Sequence, residues 1–479
     1  MNFKMFTASR IRLLAVTCAA LFMAMLDNLV LGVALPSIQK SFQASVTDLQ
    51  WFMNAYTLAF SVLLIPFSVL GDRFGRKRMF LTGVVLFTLG SALSGLSDSS
   101  IQLICSRALQ GVGGAAIVPL SLTLVHSAFP EKMRAAALGI WSGISGLGLS
   151  VGPLVGGLII EGAPWQLIFW VNVPVGVLAL VLGGMWLQEA KGENKPVDPV
   201  GILLLGMGLF GVVFGLEHGN QDGWGSMTVV GSLISGVLLL GFFYLWERTR
   251  KQPFVRFHFF RNGKYSALIF AGFWMNAGIF GSIFLLTLFL QQAQGYSALE
   301  AGVREMVWTG CTMIAAPLAG LAVSKIGGRT VLSIGMLFQT LALLGFGALI
   351  FWEGADVPFG YIAPFMMLAG TGMGLSFTPL AHGILSSVPA QSSGEASGVS
   401  NATRELGGVF GIAIGGLIFE SGSVIQTPTD FGDHVVPALL ASSAMIALGL
   451  ISILLFARSR AKAQREMEQP VVSSTEITA

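Results

Sequence analysis

LLAVTCAALFMAMLDNLVLGVALP, residues Leu13–Pro36, decides how the whole chain is read. It is apolar from end to end except for one carboxylate, Asp27. A run of this length and composition fits the ~20 residues an α-helix needs to cross a bilayer. Arg10 and Arg12 mark its inner end and Pro36 its outer end. Asp27 then lies roughly 13 Å below the outer end, at 1.5 Å rise per residue. A charged Asp near the bilayer centre costs on the order of 2.5–3.5 kcal/mol, so one found there pairs with a cation, faces a watery cavity or takes up a proton. Two readings stay open: a structural ion pair, and the proton-carrying carboxylate of a transporter. The second is the sharper one.

Apolar runs of similar length recur through the 479 residues, of which 54% are hydrophobic and 11% charged. That composition excludes a string of soluble domains. A net charge of +3 gives no reason to expect a nucleic-acid partner. Cys18, Cys105 and Cys311 fall in separate apolar helices and read as free thiols. The five histidines have no metal-ligand spacing, and neither a metal nor a cofactor is expected. GMGLFG (Gly206–Gly211) fits a dinucleotide pattern but lies inside an apolar span with no strand before it. No Walker A sequence occurs, so ATP is not the expected energy source, and no catalytic constellation points to an enzyme.

The pattern predicts fourteen spans. The first six are 13–35, 50–70, 79–97, 101–124, 136–160 and 165–187, followed by a pair at 199–218 and 227–246. The last six are 266–290, 299–323, 330–351, 359–385, 396–419 and 435–457. With both termini inside, 23 of the 27 Lys and Arg fall in inner loops and tails, and only Lys40 falls outside. Basic residues collect on the cytoplasmic side, so this bias supports an even number of spans. There is also an internal repeat. Gly111, Gly113 and Pro130 recur as Gly370, Gly372 and Pro389, and Gly152, Gly156 and Gly157 as Gly411, Gly415 and Gly416, all displaced by 259. Earlier in each half the displacement is 252, carrying Asp48 onto Glu300. The reading is an N-terminal six-helix bundle at 1–187, an inserted helix pair and linker at 188–265, a C-terminal bundle at 266–457 and a disordered tail at 458–479. The linker 247–264 holds six Lys or Arg, a strip suited to anionic membrane lipid.

Three motifs give this architecture a family resemblance. The loop SVLGDRFGRKR (Ser68–Arg78) resembles the signature loop of the major facilitator superfamily, with Asp72, Arg73, Gly75 and Arg76 at its fixed positions and Ser68 in place of its first glycine. The resemblance implies that Asp72 pairs across the two halves on the cytoplasmic side and stabilises an outward-open state. RALQGVGGA (Arg107–Ala115) resembles the second motif, whose arginine is implicated in proton transfer. Arg107 lies at a depth close to that of Asp27, and in this fold both helices line the cavity. A guanidinium beside Asp27 favours the ionised carboxylate and desolvation the neutral one, so a conformational change can switch proton occupancy. The competing reading is a permanently satisfied structural pair. GLGLSVGPLVGG resembles the antiporter motif at Gly148, Gly152, Pro153, Gly156 and Gly157. Small residues there let helices approach closely and proline bends the helix.

Taken together, the chain resembles the fourteen-helix drug:proton antiporter family, although helix 1 has Leu29 and Gly32 where the family has threonine and asparagine. The implied function is proton-coupled export of small hydrophobic or cationic compounds across the cell membrane by a monomer. The alternatives are a dedicated exporter of one metabolite, siderophore or self-made antibiotic, and a non-transporting sensor. Secondary cavity candidates are Asn401, Arg404 and Glu305. Arg304–Glu305 and Arg404–Glu405 place opposite charges on neighbouring residues, which point about 100° apart on a helix and need not pair. Glu217, near the end of an inserted helix, is expected at the outer surface.

Overall fold

The computed structural model describes residues 7–44, 46–192, 198–250, 253, 255–354, 356–420 and 428–468, with the side chains of a few helical residues, Pro36 and Pro153 among them, outside that set. The described residues are helical throughout, joined by short turns and linkers. In chain order the helices are α1 Ala8–Phe42, α2 Val46–Phe74, α3 Arg76–Gly95, α4 Ser100–Ala128, α5 Glu131–Gly162, α6 Leu167–Trp186, α7 Pro199–Asp222 and α8 Met227–Thr249. They continue as α9 Gly263–Leu288, α10 Ala298–Ile326, α11 Gly328–Glu353, α12 Phe359–Leu385, α13 Ser393–Glu420 and α14 Pro428–Glu468. Helices suit a chain of this composition because their backbone hydrogen bonds close within the segment, leaving no polar group to face lipid. Among the described residues, twelve helices are long and apolar enough to cross a membrane. The protein is therefore a multi-pass membrane protein. The other two, α5 with 32 residues and α12 with 27, match the twelve in length.

The repeat seen in the sequence is also a repeat of contacts. α1 packs on α5, and α2 and α3 pack on α4; α9 packs on α13, and α10 and α11 pack on α12. In α4, Gly111 lies over the Tyr56 carbonyl and Gly113 against Gly83 and Phe87. In α12, Gly370 lies over the Trp308 carbonyl and Gly372 against Gly335 and Gln339. Trp308, Gly335 and Gln339 are Tyr56, Gly83 and Phe87 displaced by 252. The two sets of helices meet where α5 runs along α10 and α2 along α13. The inserted pair, α7 and α8, pack on each other, and α7 also touches α2 and α13.

Two boundaries differ from the sequence reading. Pro36 does not end α1, which runs on to Phe42 and closes at Gln43, φ 51°. Lys40 therefore sits in the helix's last turn. Proline removes one backbone hydrogen bond from a helix, and a packed bundle tolerates that loss. At the other end, α14 continues to Glu468, so the start of the tail is helical rather than disordered. Its Ala, Lys, Arg, Gln and Glu are good helix formers. Residues 469–479 lie outside the described set.

Candidate functional site

Asp27 is fully buried in the first six helices. Its Oδ2 accepts from Arg107 Nη1 at 2.5 Å, and its Oδ1 accepts from Asn172 Nδ2 at 2.9 Å and Gln110 Nε2 at 3.1 Å. The structure thus joins α1, α4 and α6 at one carboxylate. Arg107, 1% exposed, also donates from Nε to the Phe52 carbonyl at 3.2 Å and from Nη1 to Gln110 Oε1 at 2.9 Å. Its guanidinium lies 4.6 Å from the Tyr56 ring centre and 5.8 Å from that of Phe169. Gln110 also donates to Ser91 at 2.6 Å. Both charges are desolvated, and their compensation is nearly complete. Removing one partner of such a pair is strongly destabilising, because the other is left charged and alone. In this conformation Asp27 faces the interior of its own bundle rather than open water.

Sequence reasoning found Asp27 and Arg107 and missed Gln110, Asn172, Tyr56 and Ser91. A signal was available in the repeat: displacement by 259 turns Arg107 and Gln110 into Met366 and Ala369, and by 252 turns Ser91 into Leu343. Positions that are polar in one half and apolar in the other are where the symmetry is broken. In the second half these counterparts line a small apolar cavity together with Trp308, Phe346 and Ala342. Asn172→Leu is expected to destabilise the purified protein by about 1–3 kcal/mol, the cost of a lost buried hydrogen bond, read as a lowered melting temperature. An unchanged melting temperature would show that Asn172 contributes nothing to the network.

At the basic end of the bundle, Gly75 adopts φ 114°, a conformation that side chains disfavour, and turns α2 into α3. The turn brings Arg76 to Asp72 at 2.7 Å. Asp72 Oδ2 also accepts the Glu395 backbone N–H at 3.3 Å, while Arg76 Nη2 donates to Ser393 Oγ at 2.8 Å. Asp72 therefore sits at the N-terminus of α13, where helix backbone N–H groups favour negative charge. Ser68, which departs from the motif's glycine, donates to the Gly394 carbonyl at 2.6 Å. The linker before α7 adds to the clasp: Arg76 N donates to the Ala190 carbonyl and Gly192 N to the Asp72 carbonyl, each at 2.8 Å. The Arg73 guanidinium lies 5.2 Å from the Phe74 ring centre.

The glycines of α5 face two ways. Gly148 and Gly156 lie against α1, where a Cβ would come 2.7 Å from Met25 Cβ and 3.0 Å from the Val30 carbonyl oxygen. Gly157 faces Leu299 of α10, and Gly152 is buried. Pro153 lies within the same helix. The second-half candidates do not gather at one point. Glu305 accepts from Thr287 Oγ1 at 2.5 Å. Asn401 turns back on the Ser397 carbonyl at 2.8 Å. Arg404 lies 4.4 Å from the Phe377 ring centre. Glu217, expected at the outer surface, is instead partly buried, and its Oε2 is sealed without a hydrogen bond. Its helix turns it toward its neighbours rather than outward.

A sequence model of the Major Facilitator Superfamily matches residues 17–412. The tetracenomycin C resistance and export protein of Streptomyces glaucescens is 36% identical over 411 residues, 85% of this chain and 76% of that protein. The multidrug efflux pump LfrA of Mycolicibacterium smegmatis is 34% identical over 412 residues, 85% of this chain and 80% of that one. Among solved structures, the transporter FucP in its outward conformation superposes with a TM-score of 0.64, covering 94% of this chain and 99% of that one at 15% identity, a likeness of fold alone.

Proposed function

The chain belongs to the major facilitator superfamily, a family of transporters rather than enzymes, and from that premise we propose that it is a proton-coupled antiporter exporting small hydrophobic or cationic drugs across the cell membrane. In this reading α5 and α12 also span the bilayer, giving fourteen spans with both termini cytoplasmic. Two six-helix bundles, 1–187 and 266–457, flank the inserted pair and linker at 188–265, the tail 458–479 is cytoplasmic, and the protein works as a monomer. The observation that carries the proposal is the sealed Asp27–Arg107 pair, one titratable carboxylate held by three helices of one bundle.

The proposed cycle follows from that pair. With the clasp of Asp72, Arg76 and α13 closed, the cytoplasmic end is shut and the state is outward-facing. A proton arriving at Asp27 from outside removes its charge and frees Arg107, which loosens α1 from α4 and favours return to the inward-facing state. Substrate arriving from inside favours release of that proton to the cytoplasm. Resistance and efflux functions of the relatives support the direction of transport. The relative that exports tetracenomycin C favours a second reading, a dedicated exporter of one compound. A panel of chemically unrelated toxic compounds separates the two, since a multidrug pump protects against many and a dedicated exporter against one. For the coupling itself, collapsing the proton gradient with an uncoupler is expected to raise dye accumulation in expressing cells to the level of cells lacking the protein. Accumulation that stays low after the gradient is gone would overturn proton coupling.

A further inference from the structure

The inserted helix α7 does more than pad the bundle. At the basic end α2 and α13 touch directly, with Ser68 bonded to Gly394 and a Cβ on Gly398 coming 2.6 Å from Ser68 Cβ. Toward the opposite end α7 takes up the contact with both. On one side Trp51 of α2 lies 6.4 Å from the Phe214 ring and 6.3 Å from the His218 ring, the latter two stacked at 4.0 Å. On the other side Asn220 Nδ2 donates to the Ala413 carbonyl of α13 at 3.1 Å, its Oδ1 held by Trp224 Nε1 at 2.8 Å. α7 is therefore wedged into the seam between the two bundles.

Helical geometry then fixes the direction of Glu217. At 3.6 residues per turn it lies about 60° round the helix from Phe214, which faces α2, and about 60° from Asn220, which faces α13. It points between them, into the seam. One carboxylate oxygen, Oε2, is sealed without a hydrogen bond, and no ion pair among the described residues includes Glu217. The facing parts of its neighbours carry no charge at all: Trp51–Val62 of α2, Met227–Trp246 of α8 and Leu406–Phe419 of α13 contain no Asp, Glu, Lys or Arg. A carboxylate buried without a cation is costly. Aromatic faces beside it suit a delocalised positive charge.

We propose that Glu217 is the recognition point for the cationic centre of lipophilic organic cations, placed on the transport path by the inserted pair between α2 and α13. The inference rests on the exporter reading and deepens it by naming the group that separates cationic from neutral substrates. The aromatic rings of Trp51, Phe214 and His218 line the same seam and supply the apolar face that such a cation requires.

The test compares methyltriphenylphosphonium with triphenylphosphine oxide, a neutral compound of similar shape, for binding to the purified full-length protein in nanodiscs. Glu217→Gln is expected to weaken phosphonium binding tenfold or more and to change oxide binding less than twofold. Equal weakening of both, no change in either, or no phosphonium binding by the unaltered protein would each overturn the proposal. A second measurement needs no variant. Dicyclohexylcarbodiimide is expected to modify Glu217 in the unaltered protein, and phosphonium but not the oxide to protect it, as read by peptide mass spectrometry. Absence of protection overturns the proposal even if the variant fails to fold. Gradient-driven flux in proteoliposomes tests the exporter reading separately, because binding requires neither a gradient nor turnover.

Discussion

Asp27→Asn is expected to reduce proton-driven export to background while substrate-for-substrate exchange continues. The replacement keeps the shape of the side chain and an oxygen for Asn172 or Gln110, but it removes the charge that holds Arg107. Arg107 retains the Phe52 carbonyl, Gln110 Oε1 and the Tyr56 ring, so the bundle stays assembled. Leaving one partner of a buried pair uncompensated costs about 3–5 kcal/mol, which a melting curve will register. That cost creates an ambiguity, since a merely structural pair would also lose activity through instability. The repeat provides the control. In the second half, the positions matching Asp27 and Arg107 are Gly278, displaced by 251 as Phe22 over Gly148 is from Phe273 over Gly407, and Met366, displaced by 259, so that fold accommodates an uncharged version of the same helix contact. Replacing a buried ion pair by apolar groups is often neutral for stability. The double variant Asp27→Asn, Arg107→Met is therefore expected to regain most of the lost stability and to remain uncoupled. If it recovers gradient-driven export along with stability, the pair is structural and the proton path lies elsewhere.

Much of the architecture could be read from residues before any coordinates. Runs of apolar residues give the spans because a helix in lipid has to be apolar along most of its length. The glycine repeat could be read because close helix contacts demand glycine at fixed spacings, and the matching of Tyr56 with Trp308 and Gly83 with Gly335 shows the same contacts made twice. What could not be read depends on which neighbour a side chain meets. Asn172 is a polar residue within an apolar span, and only the packing of α6 beside α1 brings it to Asp27. Glu217 lies close to a helix end, where surface exposure is the ordinary expectation, and the bond from Asn220 of the same helix to the Ala413 carbonyl of α13 is what turns it inward. Pro36 misled for a related reason. Local sequence marks a helix end there, and the packed helix continues regardless. Arg304 and Glu305 are neighbours in the chain yet meet different partners, Tyr296 and Thr287, while Arg404 lies against Phe377.

Gly411→Ala is expected to prevent stable assembly of the second bundle, whereas Gly415→Ala, one turn further along α13, is expected to be tolerated. A methyl group on Gly411 would overlap the Ala277 carbonyl of α9, and a backbone carbonyl cannot rotate away as a side chain can. On Gly415 the same methyl would come no closer than 3.8 Å to Gly281, ordinary contact. Overpacking a close contact costs about 1–3 kcal/mol and more where the backbone has to move, so Gly411→Ala belongs at the upper end of that range or above it. Gly156, the first-half counterpart of Gly415, is tighter: a methyl there would meet the Val30 carbonyl oxygen at 3.0 Å. The expected order of melting temperatures is therefore Gly415→Ala highest, Gly156→Ala intermediate and Gly411→Ala lowest. That order separates close packing from a motif effect, because Gly156 belongs to the antiporter glycines and Gly411 only to their repeat. If Gly156→Ala proved the most stable of the three while losing transport, the α1–α5 contact would be needed for movement rather than assembly. If Gly411→Ala melted with the unaltered protein, α9 and α13 would have to stand further apart than the Ala277 contact implies, and the geometric reading of the repeat would fail there.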